Sequence, residues 1–499
     1  MSQHFPVLQV LVPLLAAPLC VLLRSATGAW LTFTAASWVA LALSISLLVG
    51  VQMFGPIEYE MGGWPAPFGI VYLIDAANAF VLVLVSGIAA LLAPYARSLV
   101  AREIPAERIY LFYACLCLNL AGLLGITATG DAFNVFVFLE ISSLSGYALI
   151  ALGRRRQALL AAIQYLVMGT VGGTFLLLGI GLAYALTGSL NMADMAVRIA
   201  ELPASNALSA AVIFCCLGLA IKAAVFPLHG WLPSAYSEAP AAVNSFISAT
   251  GTKVAIYALA RFAFTVFGAG LAFGAVGLGE AGLLLGSVGM LFGAAAACMQ
   301  TDLRRILAYS SVSQIGYIIV GLSLATSAGV AAAFLHIAAH AVIKAALFAL
   351  AGWLALRLGG VQLQQLAGLG RRMPWAFAAF VLGGLGLIGV PLSAGFISKW
   401  ALLLALIEAG QLWVLGALLI SSLLAVVYVW RIVEAMWFAP AADGPSGNSA
   451  TAVPDRAEAW PVALSIALLS ALSLAIGLGL LPVADWSLAA ANALLGGGS

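Results

Sequence analysis

Four lysines are the residues whose placement first suggests chemistry. They are the only lysines in the sequence, and each lies inside an apolar stretch: Lys222, Lys253, Lys344 and Lys399. A charge at the centre of a bilayer costs about 2.5–3.5 kcal/mol on insertion scales, so four of them require a polar interior. A buried lysine can lose and regain its proton, whereas an arginine stays protonated. The pattern favours proton transfer over the alternatives, in which each lysine snorkels to an interface or holds two helices together.

One acid occupies a similar position. Glu140 lies in NVFVFLEISSL, and the next basic residue along the chain is Arg154. A lone carboxylate in apolar surroundings is expected to be neutral unless a cation approaches it, and Lys222 or Lys253 could supply that cation. The pair is either a fixed structural ion pair or one that breaks and re-forms as a gate, and the two interpretations are compatible.

Two histidines and a lysine form a ladder on one helix face. His336, His340 and Lys344 recur at i, i+4 and i+8 in HIAAHAVIK, over about 12 Å of helix. Two histidines at this spacing can bind a metal, but the glutamate of an HExxH motif is absent, and no metal site is predicted. A polar packing seam is a second alternative, and a proton relay is favoured because histidine titrates near neutral pH. His229, in FPLHGWLP, is predicted to lie at a helix end and to be at most an accessory.

Two apolar segments are interrupted by proline and glycine. Pro227 follows Lys222, and Pro391 with Gly395 precedes Lys399. Breaks at membrane depth are tolerated only where protein or water satisfies the freed backbone groups, and paired breaks in two halves of a chain indicate ion pathways. The alternative is an ordinary kink in each helix.

The composition places these residues in a membrane. Of the 499 residues, 64% are hydrophobic and 8% are charged, against about 25% charged in soluble domains. A helix needs about 20 apolar residues to cross the bilayer core. About fourteen segments qualify: 6–24, 29–51, 74–96, 109–128, 132–152, 158–187, 207–229, 239–265, 271–299, 305–325, 328–356, 375–404, 410–438 and 459–482. The sequence therefore predicts an all-α polytopic membrane protein with a single membrane domain over residues 1–499.

The arginines predict the orientation of this domain. Cytoplasmic loops of membrane proteins carry an excess of basic residues. With the N-terminus outside, 14 of the 16 arginines fall in or beside cytoplasmic loops, and only Arg198 and Arg261 fall on the other side. We therefore expect a protein of the bacterial inner membrane with both termini periplasmic. The largest basic cluster is Arg154–Arg156, which argues against nucleic-acid binding.

Motifs spread over most of the chain resemble one family. Five segments resemble the motifs of antiporter-like membrane subunits and occur in the same order. They are KAAVFPLHGWLPSAYSEAP, GTKVAIYALAR, TDLRRILAYSSVSQIGYI, HIAAHAVIKAALF and GVPLSAGFISKW. This family includes large subunits of Mrp-type sodium/proton antiporters, of respiratory complex I and of membrane-bound hydrogenases. The segment FVFLEISSLSGYALIALG resembles the fifth helix of the D-type subunits of the Mrp group, and the length of the chain suits these subunits. Lys399 argues against the complex I subunit that has a glutamate at this position. We expect no long extension after Pro482, unlike the largest members.

The resemblance implies an architecture. It comprises two inverted five-helix repeats, helices 4–8 and 9–13, each containing one broken helix. Helices 1–3 would then cover residues 1–100, the first repeat 105–265, the second repeat 270–438, and helix 14 residues 459–482.

The resemblance also implies a function, that of a proton-translocating membrane subunit of a multisubunit monovalent cation (Na⁺)/H⁺ antiporter, a transporter subunit and not an enzyme. Its partners would be the A, B, C, E, F and G subunits of an Mrp-type complex. By the family pattern the proton relay comprises Glu140, Lys222, Lys253, His336, His340, Lys344 and Lys399. No cofactor is expected. The alternative is a proton-pumping, antiporter-like subunit of complex I or of a membrane-bound hydrogenase, with the redox chemistry in another chain.

Overall fold

Apolar runs that begin at polar capping residues form the helices. The computed structural model describes residues 2–153, 156–440 and 456–496. The first four N–H groups of a helix lack partners within it, and a preceding Asp, Ser, Thr or Asn side chain can accept from them. Asp75, Asp131 and Asp302 accept from such N–H groups at the starts of three helices. Arg154 and Arg155 lie outside the described residues.

The first half of the chain contains ten α-helices and one hairpin among its described residues. The helices are α1 Phe5–Leu23, α2 Ala26–Phe54, α3 Ala76–Glu103, α4 Ile109–Ala128, α5 Ala132–Ala151, α6 Arg156–Thr187, α7 Met192–Glu201, α8 Asn206–Lys222, α9 Leu232–Glu238 and α10 Ala241–Ala260. The antiparallel strands β1 Ile57–Glu60 and β2 Val71–Ile74 form the hairpin, with Ile57 opposite Ile74. Two π-helical turns follow α10, at Arg261–Val266 and Gly270–Ala275.

The described part of the second half contains nine further α-helices. They are α11 Leu278–Met299, α12 Leu303–Ser323, α13 Ser327–Leu358, α14 Leu369–Arg372, α15 Pro374–Ile388, α16 Ala394–Glu408, α17 Leu412–Val433, α18 Arg456–Gly477 and α19 Val483–Leu495. A π-helical turn at Glu434–Phe438 continues α17. Short 3₁₀ turns lie at Ser2–His4, Met61–Gly63, Ala106–Arg108 and Leu363–Leu366.

The helices are those of a multi-pass membrane protein. Among the described residues, 11 helical segments are long and apolar enough to cross a membrane. Three shorter apolar helices accompany them: Asn206–Lys222, Pro374–Ile388 and Val483–Leu495. The expected helical membrane fold is confirmed, whereas the number of fourteen spans and the two inverted repeats stay predictions.

The most buried membrane-spanning helix carries the histidine–lysine ladder. The most apolar window of α13 is 100% buried and that of α12 is 94% buried, against 39% for α1, α2, α6 and α17. α13 packs on α10, α12, α16, α18 and α19. The His336–His340–Lys344 ladder on α13 therefore lies at the centre of the molecule, and the peripheral helices present apolar side chains outward.

The β-hairpin marks one end of the helix bundle. Tyr72 of β2 forms a β-bridge with Thr129 after α4, and Asp131 forms another with Asn191 after α6. The Gly130 N–H donates to the Val71 carbonyl at 2.8 Å. Because the ends of α2, α4 and α6 and the starts of α3 and α5 meet here, we call this end the hairpin side.

Candidate functional site

Glu140 and Lys222 meet between α5 and α8. Lys222 is the last residue of α8, and its Nζ lies 3.5 Å from Glu140 Oε1. The same ammonium donates to Ser143 Oγ at 2.6 Å and to the Tyr147 hydroxyl at 3.3 Å. Ser143 and Tyr147 follow Glu140 at i+3 and i+7, so one face of α5 supplies all three contacts. The lysine is held by one charge and two hydroxyl groups while it is only 7% exposed.

Glycines of α6 make room for this pair. A Cβ atom added to Gly173 would lie 2.5 Å from Glu140 Oε1, and one added to Gly169 would overlap the Tyr147 hydroxyl. Real Cβ atoms do not approach other atoms this closely. A side chain at either position would therefore displace the Glu140 carboxylate or the Tyr147 hydroxyl from its place beside Lys222.

A small cavity adjoins the pair. It has a volume of about 30 Å³, which is enough for one or two water molecules. We call it the inner cavity; its lining includes Asn119, Ile126, Ser142, Ser143, Lys222 and Ala255. Because α10 contributes Ala255 and the neighbouring Gly251, the cavity extends from Lys222 towards the helix that carries Lys253.

Lys253 and Lys344 are fully buried and are held by uncharged oxygen atoms. Lys253 Nζ donates to the Ser248 carbonyl and lies 3.4 Å from Thr252 Oγ1. Lys344 Nζ donates to the Leu307 carbonyl at 2.7 Å and to Ser310 Oγ at 2.6 Å. These acceptors can stabilise either a neutral amine or an ammonium, so neither lysine is tied to one protonation state.

The two histidines lie between the lysines of the second half. The ring centres of His336 and His340 are 6.2 Å apart, and His336 Nδ1 lies 2.9 Å from Ser398 Oγ. Among the described residues, His336 Nε2 and both ring nitrogens of His340 have no hydrogen-bond partner. Three ring nitrogens on this face of α13 are thus free to accept or donate a proton.

Lys399 lies beside the break between α15 and α16. Its Nζ donates to the carbonyls of Leu387 at 2.8 Å and Ile388 at 3.1 Å, the last two residues of α15. A further contact joins it to Ser422 Oγ at 3.4 Å. Carbonyls at a helix C-terminus lack partners within the helix and favour a cation. Lys399 therefore satisfies the end of α15, and Ser398, the residue before it in the chain, contacts His336.

Both proline-containing segments interrupt a helix. Residues 223–231, with Pro227, separate α8 from α9, and residues 389–393, with Pro391, separate α15 from α16. A side-chain N–H group donates to a backbone carbonyl at each break. At the first break Trp231 Nε1 donates to the Ile221 carbonyl at 2.9 Å. At the second break Lys399 Nζ donates to the Leu387 carbonyl. This satisfies the requirement that non-helical backbone inside a membrane be hydrogen-bonded by protein.

His229 lies apart from these contacts. Its ring stands 5.3 Å from the ring of Phe226 and 5.1 Å from that of Phe292. The side chain is partly buried in the segment between α8 and α9. These two ring contacts suit a packing role in the broken helix.

Several polar partners were not predicted from the sequence. Ser143, Tyr147, Ser310 and Ser398 contact the lysines or a histidine directly. The spacing of Ser143 and Tyr147 from Glu140 was a usable signal, because it places them on the same helix face. Ser310 lies on α12 and contacts a lysine of α13, a pairing that requires knowledge of how the two helices pack.

Comparison with known proteins identifies relatives along most of the chain. The sequence model of the family described as "NADH:quinone oxidoreductase/Mrp antiporter, TM" matches residues 129–425. The chain is 43% identical over 444 residues to the NADH-quinone oxidoreductase subunit N of Desulforudis audaxviator, covering 87% of this chain and 86% of that protein. It is 32% identical over 456 residues to the D-type Na⁺/H⁺ antiporter subunit of Alkalihalophilus pseudofirmus, covering 91% of this chain and 90% of that protein. A chain of the Mrp complex from Dietzia sp. has a similar structure, with a TM-score of 0.87, 28% identity and coverage of 99% of this chain and 97% of that one.

Proposed function

The chain belongs to the NADH:quinone oxidoreductase/Mrp antiporter membrane family, and from this premise we propose that it is the proton-translocating membrane subunit of a multisubunit monovalent cation/proton antiporter. It is a transporter subunit of the D type, similar to the D-type Na⁺/H⁺ antiporter subunits among its relatives. The transported ions are protons and Na⁺, with the proton relay in this chain.

One observation carries the proposal. A carboxylate and a buried lysine lie 3.5 Å apart next to a cavity that can hold water. An ion pair contributes little to stability when it is buried, because the cost of removing both charges from water offsets the attraction between them. A proton-transfer site needs this arrangement, since moving the carboxylate alters how readily the lysine releases its proton.

The relay operates through charge displacement. When Glu140 moves away, the ammonium of Lys222 loses its counter-charge and gives its proton to water in the inner cavity. The proton passes towards Lys253 on α10 and then along the histidines and Lys344 of α13. From His336 and Ser398 the proton reaches Lys399, which exchanges protons with one side of the membrane. Sodium movement is coupled elsewhere in the complex.

Substitution of the pair tests the relay. In the assembled complex, Lys222→Ala and Glu140→Ala should each lower cation-driven proton transport in vesicles by more than about tenfold, since each leaves an unpaired group in the interior. Arg198→Ala and Glu280→Ala are matched controls, because both residues are exposed. Full transport by both relay variants in correctly assembled complexes would contradict the relay.

A second candidate function rests on the 43% identity to an NADH-quinone oxidoreductase subunit N. In this case the same residues belong to the proton-pumping arm of a complex I or of a membrane-bound hydrogenase. Electron transfer in a partner chain, and not a sodium gradient, would then displace the charge at Glu140. The identity of the co-purifying chains distinguishes the two functions.

Partner chains are part of the proposal. Glu140 has a side chain that is 26% exposed, on the same outward face of α5 as Val137 and Leu144. Contact of a carboxylate with lipid at this depth is costly, which supports coverage by a neighbouring membrane subunit. We propose subunits of the Mrp types A, B, C, E, F and G as these partners.

The arginine distribution supports an inner-membrane location, with the hairpin side and both termini in the periplasm.

A further inference from the structure

A buried ion pair lies outside the relay, where α3 begins and α10 ends. Arg261 contacts Asp75 through both terminal nitrogens, at 2.7 Å and 2.8 Å. Tyr257 accepts hydrogen bonds from Arg261 Nε and Nη2 at 3.1 Å each, and donates to the Thr127 carbonyl at 3.2 Å. Asp75 and Arg261 are each 7% exposed. We call Asp75, Tyr257 and Arg261 the hairpin-side cluster.

A second cavity lies next to this cluster. Its volume is about 100 Å³, and we call it the outer cavity; its lining includes Glu58, Asn78, Thr129, Asn191, Arg261 and Thr265. Glu58 on β1 is exposed, so the cavity reaches the surface at the hairpin side. Thr265 Oγ1 is a buried oxygen with no hydrogen-bond partner among the described residues. The lining also includes apolar side chains such as Leu73 and Met192, but a cavity of this size with several polar groups has room for several water molecules.

The hairpin-side cluster separates the outer cavity from the inner cavity. Ile126, near the end of α4, lines the inner cavity, and Thr129, just after that helix, lines the outer one. Ala255 of α10 lines the inner cavity, and Arg261, in the π-helical turn after α10, lines the outer one. The six residues from Ala255 to Arg261 span about 9 Å at 1.5 Å per residue. The hydrogen bond between Tyr257 and the Thr127 carbonyl lies between the two cavities.

We propose that the hairpin-side cluster is a gate through which protons pass between Lys222 and the hairpin side of the membrane. The inference rests on the proposed proton relay and adds an exit to it. While Arg261 holds Asp75 and Tyr257, protein atoms fill the gap between the cavities. When the guanidinium swings away, water of the two cavities becomes continuous around the Asp75 carboxylate.

The proton balance is simple. With the gate open, the ammonium of Lys222 loses one proton to water in the inner cavity, and Asp75 gains one proton through the joined water of the two cavities. The neutral carboxylic acid no longer attracts Arg261, which keeps its charge throughout. Asp75 then releases the proton to water in the outer cavity near Glu58 and pairs with Arg261 again.

Cysteine labelling tests the gate in the assembled complex. Thr265→Cys reports on the outer cavity and Ser142→Cys on the inner one, and Ag⁺, a membrane-impermeant thiol-reactive ion small enough to follow water, is added from the hairpin side. Thr265→Cys should react in every background. Tyr257→Phe keeps the ring but removes the hydroxyl that contacts Arg261 and Thr127, so it should speed the labelling of Ser142→Cys about fivefold or more. Tyr184→Phe, at a tyrosine that is 50% exposed on α6, is the matched control.

Two results would overturn the gate. If Thr265→Cys does not react, the outer cavity is not a water-filled vestibule. If Ser142→Cys reacts at the same rate with and without Tyr257→Phe, the cluster does not control access. Labelling is independent of transport, so these failures leave the Lys222→Ala test intact. Full transport by Lys222→Ala, together with the expected labelling, would instead overturn the relay itself.

Discussion

At the scale of single residues, one methyl group on α6 should disturb the Glu140–Lys222 pair. Gly173→Ala would place a Cβ atom 2.5 Å from Glu140 Oε1. The flexible carboxylate can move, but it then lies farther from the lysine. An increase of about 1 Å in a 3.5 Å ion pair weakens the attraction by roughly 1 kcal/mol at an effective dielectric constant of 20. We therefore expect proton transport to fall on the order of fivefold, measured in vesicles that contain equal amounts of the assembled complex.

Gly181→Ala is the matched control for this substitution. Gly181 lies on the same helix, and no atom lies within 4 Å of its added Cβ. This variant should transport protons at the wild-type rate, since alanine is also the better helix former. Equal transport by both alanine variants would show that the position of the Glu140 carboxylate does not set the rate.

The residue types of the relay were predictable, but their neighbours were only partly so. Burial of the four lysines followed from apolar flanks, and the structure places all four in the interior. The contact between Lys222 and Ser143 could have been read from helical spacing on α5. The contacts of Lys253 and Lys399 with backbone carbonyls could not be predicted from the sequence, because every residue has a backbone carbonyl and the residue type gives no signal. Their roles in proton transfer stay predictions.

At the scale of elements, the break between α15 and α16 depends on a backbone conformation that suits glycine. Gly389 ends α15 with φ of +89°, and an added Cβ would lie 2.9 Å from Lys399 Cδ. A residue with a side chain costs about 1–2 kcal/mol in the left-handed region. Gly389→Ala should therefore lower the thermal stability of the purified complex and displace Lys399 from the Leu387 and Ile388 carbonyls. Melting temperature and transport are the two measurements.

A second glycine separates this effect from a general loss of flexibility. Gly416 lies inside α17 with open space around its added Cβ. Gly416→Ala should leave the melting temperature unchanged or raise it slightly. A normal melting temperature and normal transport for Gly389→Ala would mean that the break tolerates a different geometry.

Long apolar elements were predicted well, and short ones were not. The segment predicted at 132–152 is the helix Ala132–Ala151, because an uninterrupted apolar run leaves little freedom in its ends. The hairpin of β1 and β2 was missed, since four-residue strands give too short a pattern to recognise. The helix α19, Val483–Leu495, was missed for a similar reason: at 13 residues it is shorter than a membrane span. The interval 375–404, predicted as one span, contains α15, the break and most of α16.

At the scale of the whole molecule, the Asp75–Arg261 pair joins residues 186 positions apart in the chain. Removing one partner leaves a buried charge without its counter-charge, which costs about 3–5 kcal/mol. Arg261→Met should therefore lower the melting temperature strongly. Adding Asp75→Asn to that variant should restore most of the loss, because asparagine is uncharged and still caps α3. Arg198→Met, which breaks an exposed pair with Asp194, should change stability by less than about 1 kcal/mol. If the melting temperature of the double variant stayed as low as that of Arg261→Met, the unpaired charge of Asp75 would not be the cause of the loss.

The partners of the whole molecule decide between the two proposed functions. The same Glu140–Lys222 pair can be displaced by a cation gradient or by electron transfer, so the chain alone does not specify the driving force. Purification of a tagged chain in mild detergent, followed by mass spectrometry, should recover small hydrophobic subunits together with one very large antiporter-like subunit. Added Na⁺ should then drive proton movement in vesicles without any electron donor. Recovery of chains that bind iron–sulfur clusters, flavin or nickel, with proton movement only during electron transfer, would assign the chain to the redox-driven branch of its family.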